Sequence, residues 1–276
     1  MNKKLIITIK GTTLTLIFLL TITGCLTYNI QDRYRRYKFG VPAGVYLGDI
    51  LVERMFEDEV EALVNSLNRE ILTKPRNAYL DSYTGQTLAE GYGKKIDVTA
   101  TVKLIMNSEP HTVHQPFYIT LDPEITEEVY KNINTKIGSY STWFGGGNRG
   151  ENIRIATYAI NNSIVAPGDI FSFNDATKPR TPERGYKLAP IIVGGSVVPG
   201  YGGGICQVST TLYNAVLNAN LEVVERYPHS MPVDYVPPGK DATVSDYLDF
   251  KFRNNSNRFV LIKASAYNPL IVELWH

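Results

Sequence analysis

Hydrophobic residues follow two different periods along this chain, and each period predicts a different kind of element. An apolar residue recurs every three or four positions in two separate stretches, which predicts two amphipathic helices: Val60, Leu63, Val64, Leu67 and Ile71, and later Leu212, Ala215, Val216 and Ala219. Near the end of the chain Leu248, Phe250 and Phe252 alternate with charged residues, which is typical of a strand. Two further extended runs follow, Phe259–Ala264 and Leu270–Trp275. The pattern predicts an α+β fold.

The order of these elements predicts two folded domains. A small α+β domain is expected over residues 44–132, because one helix and several short extended runs fall there. A second α+β domain is expected over residues 133–276, in which the later helix packs on an antiparallel sheet. Residues 26–43 form a basic linker before both domains, and a solvated linker is favoured over a lipid-specific one.

The first 25 residues have the pattern of an export segment. Lysines follow the initial Met, Leu5–Ile22 is largely apolar, and Ile22–Cys25 closes the stretch. This resembles a bacterial lipoprotein signal, in which Cys25 would carry the lipid. The alternative is an uncleaved membrane anchor, because the apolar run approaches the length of a spanning helix. Both readings predict an extracytoplasmic protein held at the membrane and facing the cell wall.

Composition excludes several classes of partner and cofactor. The chain has 276 residues, 43% of them hydrophobic, and a net charge of +1, so it has no extended basic surface and no nucleic acid is expected to bind. The two cysteines lie far from one another and from most of the four histidines, so no metal site and no cofactor are expected. The four histidines are His111, His114, His229 and His276.

Cys206 is the candidate nucleophile. Three glycines precede it and a predicted helix follows, so the thiol is expected at a helix N-terminus, where free N–H groups and the helix dipole stabilise anions. Gly204 and the amides of Cys206 and Gln207 would then form an oxyanion site. Cys206 is the only cysteine of the exported body, so it has no partner for an internal disulfide. The alternative is a small buried apolar side chain.

Other residues of the second domain could complete a catalytic site. His229 is its only internal histidine and the candidate base, although a lone histidine is often structural. Asp241 is the first choice to orient its ring and Asp234 the second; Asp241 could instead bond turn amides. Arg226 is a candidate for a substrate carboxylate, or else a partner for a nearby acid. Ser209 is the other candidate substrate-binding residue.

Four long motifs occur in order over about residues 137–274 of the second domain: Pro167–Asn174, Gly202–Asn214, Arg226–Ser230 and Tyr235–Thr243. Together these motifs resemble the VanW-domain family. The resemblance implies L,D-transpeptidase activity in peptidoglycan synthesis, through a cysteine that corresponds to Cys206. It also implies peptidoglycan stem peptides as partners.

A weaker resemblance covers residues 44–130. Short motifs there are similar to the peptidoglycan-binding-type domains that precede such a catalytic module: Thr84–Gln86, Glu90–Gly93 and Ile96–Asp97. A simple spacer is the alternative for this domain. For the whole chain, the alternatives to a transpeptidase are a hydrolase with the same site, a non-catalytic wall-binding lipoprotein, and an accessory scaffold linked to glycopeptide resistance.

Overall fold

The computed structural model describes residues 27–81 and 84–276. The predicted export segment and Cys25 lie outside the described residues. The helices are α1 (residues 27–39), α2 (Glu57–Ile71), α3 (Val98–Met106), α4 (Glu127–Asn132), α5 (Gly147–Ile160), α6 (Phe173–Thr177) and α7 (Ile205–Asn218), with one 3-10 turn at Pro182–Arg184. Along the part of the chain that is described, no helix is both long and apolar enough to cross a membrane.

The strands are mostly short. In chain order they are β1 (Tyr46–Leu47), β2 (Ile50–Leu51), β3 (Tyr79–Leu80), β4 (Thr87–Leu88), β5 (Gly93–Ile96), β6 (Val113–His114), β7 (Tyr118–Leu121), β8 (Lys136–Thr142), β9 (Ile164–Val165), β10 (Ile170–Ser172), β11 (Leu188–Val193), β12 (Ser196–Tyr201), β13 (Glu222–Glu225), β14 (Lys251–Arg253), β15 (Val260–Ala266) and β16 (Leu270–Trp275). The mixture of helices and small sheets confirms the α+β fold class.

The chain forms two compact units. The first ends at Arg76 and resumes over Gly91–Pro123; the second contains Asn77–Glu90 and Glu124–His276. Residues 77–90 carry the β3–β4 hairpin. Main-chain hydrogen bonds join this segment to the rest of the second unit, for example from Ala78 N to Ile125 O at 2.8 Å. The second unit therefore begins earlier in the chain than residue 133 and includes a hairpin from within residues 44–132.

The first unit is built around α2 and α3. Val60 and Val64 of the predicted apolar face are fully buried, and the remaining residues of that face pack against the same core. Acidic residues occupy the first turn of α2, and Glu59 accepts a hydrogen bond from Phe56 N at 2.8 Å. Carboxylates there satisfy free amides and complement the helix dipole. The helix thus begins where its charge pattern predicts.

The core of the second unit lies between α7 and an antiparallel sheet of order β8-β16-β15-β9. Gly138 of β8 faces α7 so closely that an added Cβ would lie 2.5 Å from the carbonyl oxygen of Ala215. Only glycine permits this approach, which sets α7 directly on the sheet. The predicted packing of the Cys206 helix on an antiparallel sheet is confirmed.

A second sheet has the order β10-β14-β13 and lies in the same unit. The alternating pattern predicts a strand that starts at Leu248, but β14 starts at Lys251. Asp249 is the reason, because it is buried rather than solvent-facing. Its carboxylate accepts hydrogen bonds from Ser172 Oγ at 2.6 Å and Asn174 N at 2.9 Å, so this segment caps α6 instead of extending the strand.

Candidate active site

The glycine-rich turn before Cys206 is forced by space and by backbone geometry. Gly202 and Gly204 have φ values of 82° and 105°, a region that side chains disfavour. A Cβ on Gly203 would lie 2.5 Å from the carbonyl oxygen of Pro190. The turn therefore passes tightly from β12 into α7, with Gly204 as the residue before the helix. Cys206 is the second residue of α7, as the sequence predicts.

The backbone amides at this helix start are not equivalent. Ile205 N donates to Gly202 O at 3.1 Å, and Gln207 N donates to Gly204 O at 3.0 Å. Among the residues that the structure describes, Cys206 N has no backbone carbonyl as an acceptor. Of the two amides expected to hold an oxyanion, that of Cys206 is therefore available and that of Gln207 is engaged within the turn.

The side chain of Gln207 fastens the helix start to its surroundings. It is buried; its Oε1 accepts a bond from Arg149 Nη2 at 2.8 Å, and its Nε2 donates to Trp143 O at 2.8 Å. A third bond, from Nε2 to Thr142 Oγ1, measures 2.9 Å. These contacts tie α7 to the end of β8 and to α5. The side chain next to the thiol is thus positioned inward and holds the turn rigid.

Cys206, His229 and Asp241 lie together. The Cys206 thiol donates to the carbonyl oxygen of Val244 at 3.4 Å, and Cys206 also raises the pKa of His229. His229 Nδ1 is 2.7 Å from Asp241 Oδ2. The imidazole is almost fully covered, with 5% of its side chain exposed. The structure thus brings together the candidate nucleophile, the candidate base and the candidate orienting acid that the sequence predicts.

The charges of this chain shift the pKa values of two of its members. Burial alone would lower the pKa of His229, but its hydrogen bonds to Cys206 and Asp241 raise it above the ordinary value. Burial alone would raise the pKa of Asp241, but hydrogen bonds from the amide and ring of His229 lower it. Both shifts favour a protonated imidazole beside an ionised Asp241, the state of His229 that a thiolate–imidazolium pair needs.

Arg226 completes the environment of Asp241. Its Nη2 donates to Asp241 Oδ1 at 2.9 Å and its Nε to the carbonyl oxygen of Asp241 at 2.6 Å. The other carboxylate oxygen, Oδ2, accepts from both the amide and the ring of His229, the amide at 2.6 Å. Arg226 is therefore a salt-bridge partner of the acid, and Asp241 bonds both a turn amide and the histidine ring.

Polar side chains of α7 hold the Asp241 loop in place. Ser209 is fully buried, and its hydroxyl donates to Ala242 O at 2.6 Å. Thr210 Oγ1 accepts from Ala242 N at 2.9 Å, and Asn214 Nδ2 donates to Lys240 O at 2.7 Å. Ser209 thus faces the loop in this structure. One helix carries the thiol at its start and, over its next turns, fixes the loop that orients the base.

Two side chains near the thiol are not identified as site residues from the sequence. Arg180 packs on Gly202, and Arg180 and Tyr235 both interact electrostatically with Cys206. Burial raises the pKa of Tyr235 well above its ordinary value. Tyr235 is part of a family-like motif, but Arg180 stands outside every motif. Asp234, the second choice for the orienting acid, is exposed and makes no bond to His229 among the described contacts.

Comparisons with known proteins agree with these motifs. A family model described as VanW like protein matches residues 148–275. The chain is 37% identical over 227 residues to the uncharacterised protein YoaR of Bacillus subtilis, covering 79% of this chain and 74% of that one. It is 28% identical over 113 residues to the vancomycin B-type resistance protein VanW of Enterococcus faecalis, covering 38% of this chain and 41% of VanW. No solved structure matches.

The region matched by the family model includes Cys206, Arg226, His229 and Asp241. The YoaR alignment extends well beyond that region, across most of both chains. These findings show that the chain belongs to the VanW-like protein family.

Proposed function

We propose that this protein is a cysteine-dependent L,D-transpeptidase that acts on the stem peptides of peptidoglycan. The observation that carries the proposal is the series Cys206–His229–Asp241, in which His229 Nδ1 lies 2.7 Å from Asp241 Oδ2 and His229 interacts with Cys206 at the start of α7. A buried imidazole between a thiol and a carboxylate is suited to acyl transfer. Membership in the VanW-like family supports a substrate in the cell wall.

In the first step the thiol proton passes to His229 and the sulfur attacks the carbonyl carbon of the third, diamino-acid residue of a donor stem. A C–S bond forms, and the C–N bond to the following D-alanine breaks. His229 returns its proton to the leaving amine, so free D-alanine departs and a thioester remains on Cys206. The available amide of Cys206 stabilises the oxyanion, and one good donor contributes about 3 kcal/mol in comparable sites.

In the second step an amine on a neighbouring stem attacks the thioester carbon. His229 takes the proton of that amine, the C–S bond breaks, and the thiolate is regenerated beside the imidazolium. One amide has been exchanged for another, so the cycle needs neither an oxidant nor a cofactor. Asp241 and Arg226 keep the imidazole in one orientation through both steps.

The proposal places the protein outside the cytoplasmic membrane, anchored through its first residues and facing the wall. The lysine-flanked apolar run that ends at Cys25 supports this placement. Metabolic labelling with a fatty acid tests the form of the anchor: a label that disappears in Cys25→Ser supports a lipoprotein, and an unlabelled membrane-bound chain supports an uncleaved anchor. A chain recovered in the cytoplasm would contradict both.

The activity is tested by incubating the full-length protein with tetrapeptide muropeptides and analysing the products by mass spectrometry. We expect D-alanine and cross-linked dimers with the wild type and neither with Cys206→Ala. Asp234→Asn is the matched control, because this exposed carboxylate lies outside the Cys206–His229–Asp241 series. Release of D-alanine without dimers would show that the enzyme hydrolyses the stem peptide and does not transfer it. Binding without any product would support a wall-binding protein, and a stable protein partner without product would support a scaffold.

A further inference from the structure

Arg180 is a half-buried cation against the turn that carries the nucleophile. An added Cβ on Gly202 would lie 3.5 Å from Arg180 Cδ and 3.6 Å from its Cβ. The carbonyl oxygen of Gly202 accepts a hydrogen bond from the amide of Ile205, the residue directly before Cys206. The guanidinium and Cys206 also interact electrostatically. The side chain of Arg180 therefore lies against the turn that carries Cys206 without belonging to the Cys206–His229–Asp241 series.

The protein leaves this charge without a carboxylate partner. Arg180 Nη2 binds the neutral oxygen Asn174 Oδ1 and lies 3.4 Å from Thr177 Oγ1. Its Nε is buried and has no hydrogen-bond acceptor. No ion pair to Arg180 occurs in the described part of the chain, and the carboxylate of Asp249 is occupied by Ser172 and Asn174 N. The guanidinium thus retains donors and charge for which the fold supplies no acid.

An unpaired, partly desolvated guanidinium is costly, and its planar fork matches the geometry of a carboxylate or a phosphate. The electrostatics of its surroundings agree with this: burial lowers the pKa of Arg180, while Cys206 and more distant acids oppose that shift only in part. Arg226 offers a contrast in the same unit, because two acceptors of Asp241 already occupy it. Arg149 packs on Gly204 and also has no ion pair among the described contacts, but its Nη2 is bound to Gln207 Oε1. Arg180 differs from both arginines in having a buried nitrogen, Nε, without an acceptor.

We propose that Arg180 binds a substrate carboxylate close to the carbonyl that Cys206 attacks. For the identity of the substrate this inference rests on the proposed function: in a four-residue donor stem the leaving D-alanine ends in a free carboxylate, separated from the attacked carbonyl by only one nitrogen and one carbon. Arg180 then makes the enzyme select stems that end at this residue. A stem with a further residue, or with an amidated end, lacks the anion at that place.

The anion site is tested without any peptidoglycan substrate, by two small alkylating reagents that differ in charge. Full-length protein is treated with iodoacetate or iodoacetamide, and modification of the Cys206 peptide is followed by mass spectrometry, which separates it from Cys25. Because a charge-assisted hydrogen bond is worth about a tenfold preference, we expect Arg180→Gln to lower the iodoacetate-to-iodoacetamide rate ratio by about tenfold.

Two further variants keep the result interpretable. Arg180→Lys retains the charge without the fork, so its ratio should lie between those of the wild type and Arg180→Gln. Arg154→Gln removes an equal charge from an exposed position of α5 and should leave the ratio unchanged. Circular dichroism confirms that each variant is folded. If both reagents slow equally in Arg180→Gln, or if neither changes, the carboxylate site is refuted.

Substrate preference then connects the site to the reaction. The wild type should release the terminal residue of a tetrapeptide about tenfold faster than that of its C-terminal amide, and Arg180→Gln should lose this preference. A charge preference toward the alkylating reagents, with no turnover of either peptide, would retain the anion site and refute the transpeptidase. Turnover of both peptides at equal rates by the wild type would refute the specificity role of Arg180 alone.

Discussion

Two arginine–carboxylate clusters, one in each compact unit, use the same chemical groups for different purposes. In the first unit Arg36 binds Glu59 through two bonds of 2.7 and 2.8 Å, and about a third of each side chain is exposed. In the second unit Arg226 binds Asp241, of whose side chain 10% is exposed, and Asp241 also binds His229. The first cluster fastens one helix to the start of another. The second fixes the direction of an imidazole.

The comparison shows that burial and the number of bonds per carboxylate decide what such a pair does. The bonds from Arg36 and from Phe56 N lower the pKa of Glu59 to about 2, yet solvent screens this pair and can replace either partner. Asp241 is buried and bonds two partners at once, so the loss of one partner leaves largely covered polar groups unsatisfied. Exposed clusters tolerate substitution, and the Asp241 cluster should not.

The largest effect is expected for Asp241→Asn. The new amide would place N–H groups against the amide or ring of His229 and would remove the acceptor that holds the ring in its orientation. We expect the rate of D-alanine release to fall by about 10² to 10⁴. Steady-state kinetics on the tetrapeptide donor measure this. A folded Asp241→Asn protein with more than half of the wild-type rate would show that Asp241 has only a structural role.

A smaller effect is expected for Arg226→Gln. This change keeps Asp241 as the partner of His229 but removes the donors to Oδ1 and to the main-chain carbonyl of Asp241. We expect the free energy of unfolding to fall by about 1–3 kcal/mol and the rate to fall less than in Asp241→Asn. Urea unfolding and kinetics on the same preparation check both. An equal loss of rate in the two variants would contradict the division of roles.

The titration of His229 should depend on both Cys206 and Asp241. Its pKa is raised, so NMR titration should give a value above the ordinary one of about 6.5, and the value should fall in Cys206→Ala. The stabilisation from a raised pKa is complete below the ordinary value and is lost as pH rises through the folded pKa. Asp241 has a lowered pKa, so its contribution is present above about 3.9 and is lost as pH falls through its folded value.

The smallest effect is expected for Glu59→Gln in the exposed cluster. The variant loses the charge that faces Arg36, but water replaces the lost bonds. We expect a small decrease in the melting temperature that disappears at high salt, and an unchanged rate of D-alanine release. Differential scanning calorimetry at two salt concentrations measures the first. A large decrease that persists at high salt would place Glu59 among the groups that the fold cannot replace.

The sequence was sufficient to predict the elements that depend on local pattern. The apolar face of α2, the start of the helix that carries Cys206, and the last two strands follow from period and from glycine geometry. Cys206 could be chosen from its glycine-rich turn and by resemblance, and His229 because it is the one internal histidine of the second domain. Asp241 is only a first choice over Asp234, since the sequence does not give their distances to His229.

The remaining features depend on contacts between distant parts of the chain. Nothing in the local pattern shows that Asp249 is buried under α6, so the start of β14 could not be predicted. The sequence around Ser209 does not show whether its side chain faces a substrate or, as in the structure, the loop at Ala242. Arg180 lies in none of the motifs, and only the structure shows that it packs on Gly202.

The central claim is that Cys206 is a nucleophile activated by His229, and trapping of the acyl-enzyme tests it most directly. Full-length protein is mixed with a tetrapeptide donor in the absence of an acceptor amine, quenched in acid, and digested for mass spectrometry. The account predicts a Cys206 peptide heavier by the donor minus D-alanine, formed more slowly in His229→Gln and absent in Cys206→Ala. Folded wild-type protein that never carries this adduct while it releases D-alanine, or an equal rate of adduct formation in His229→Gln, would contradict it.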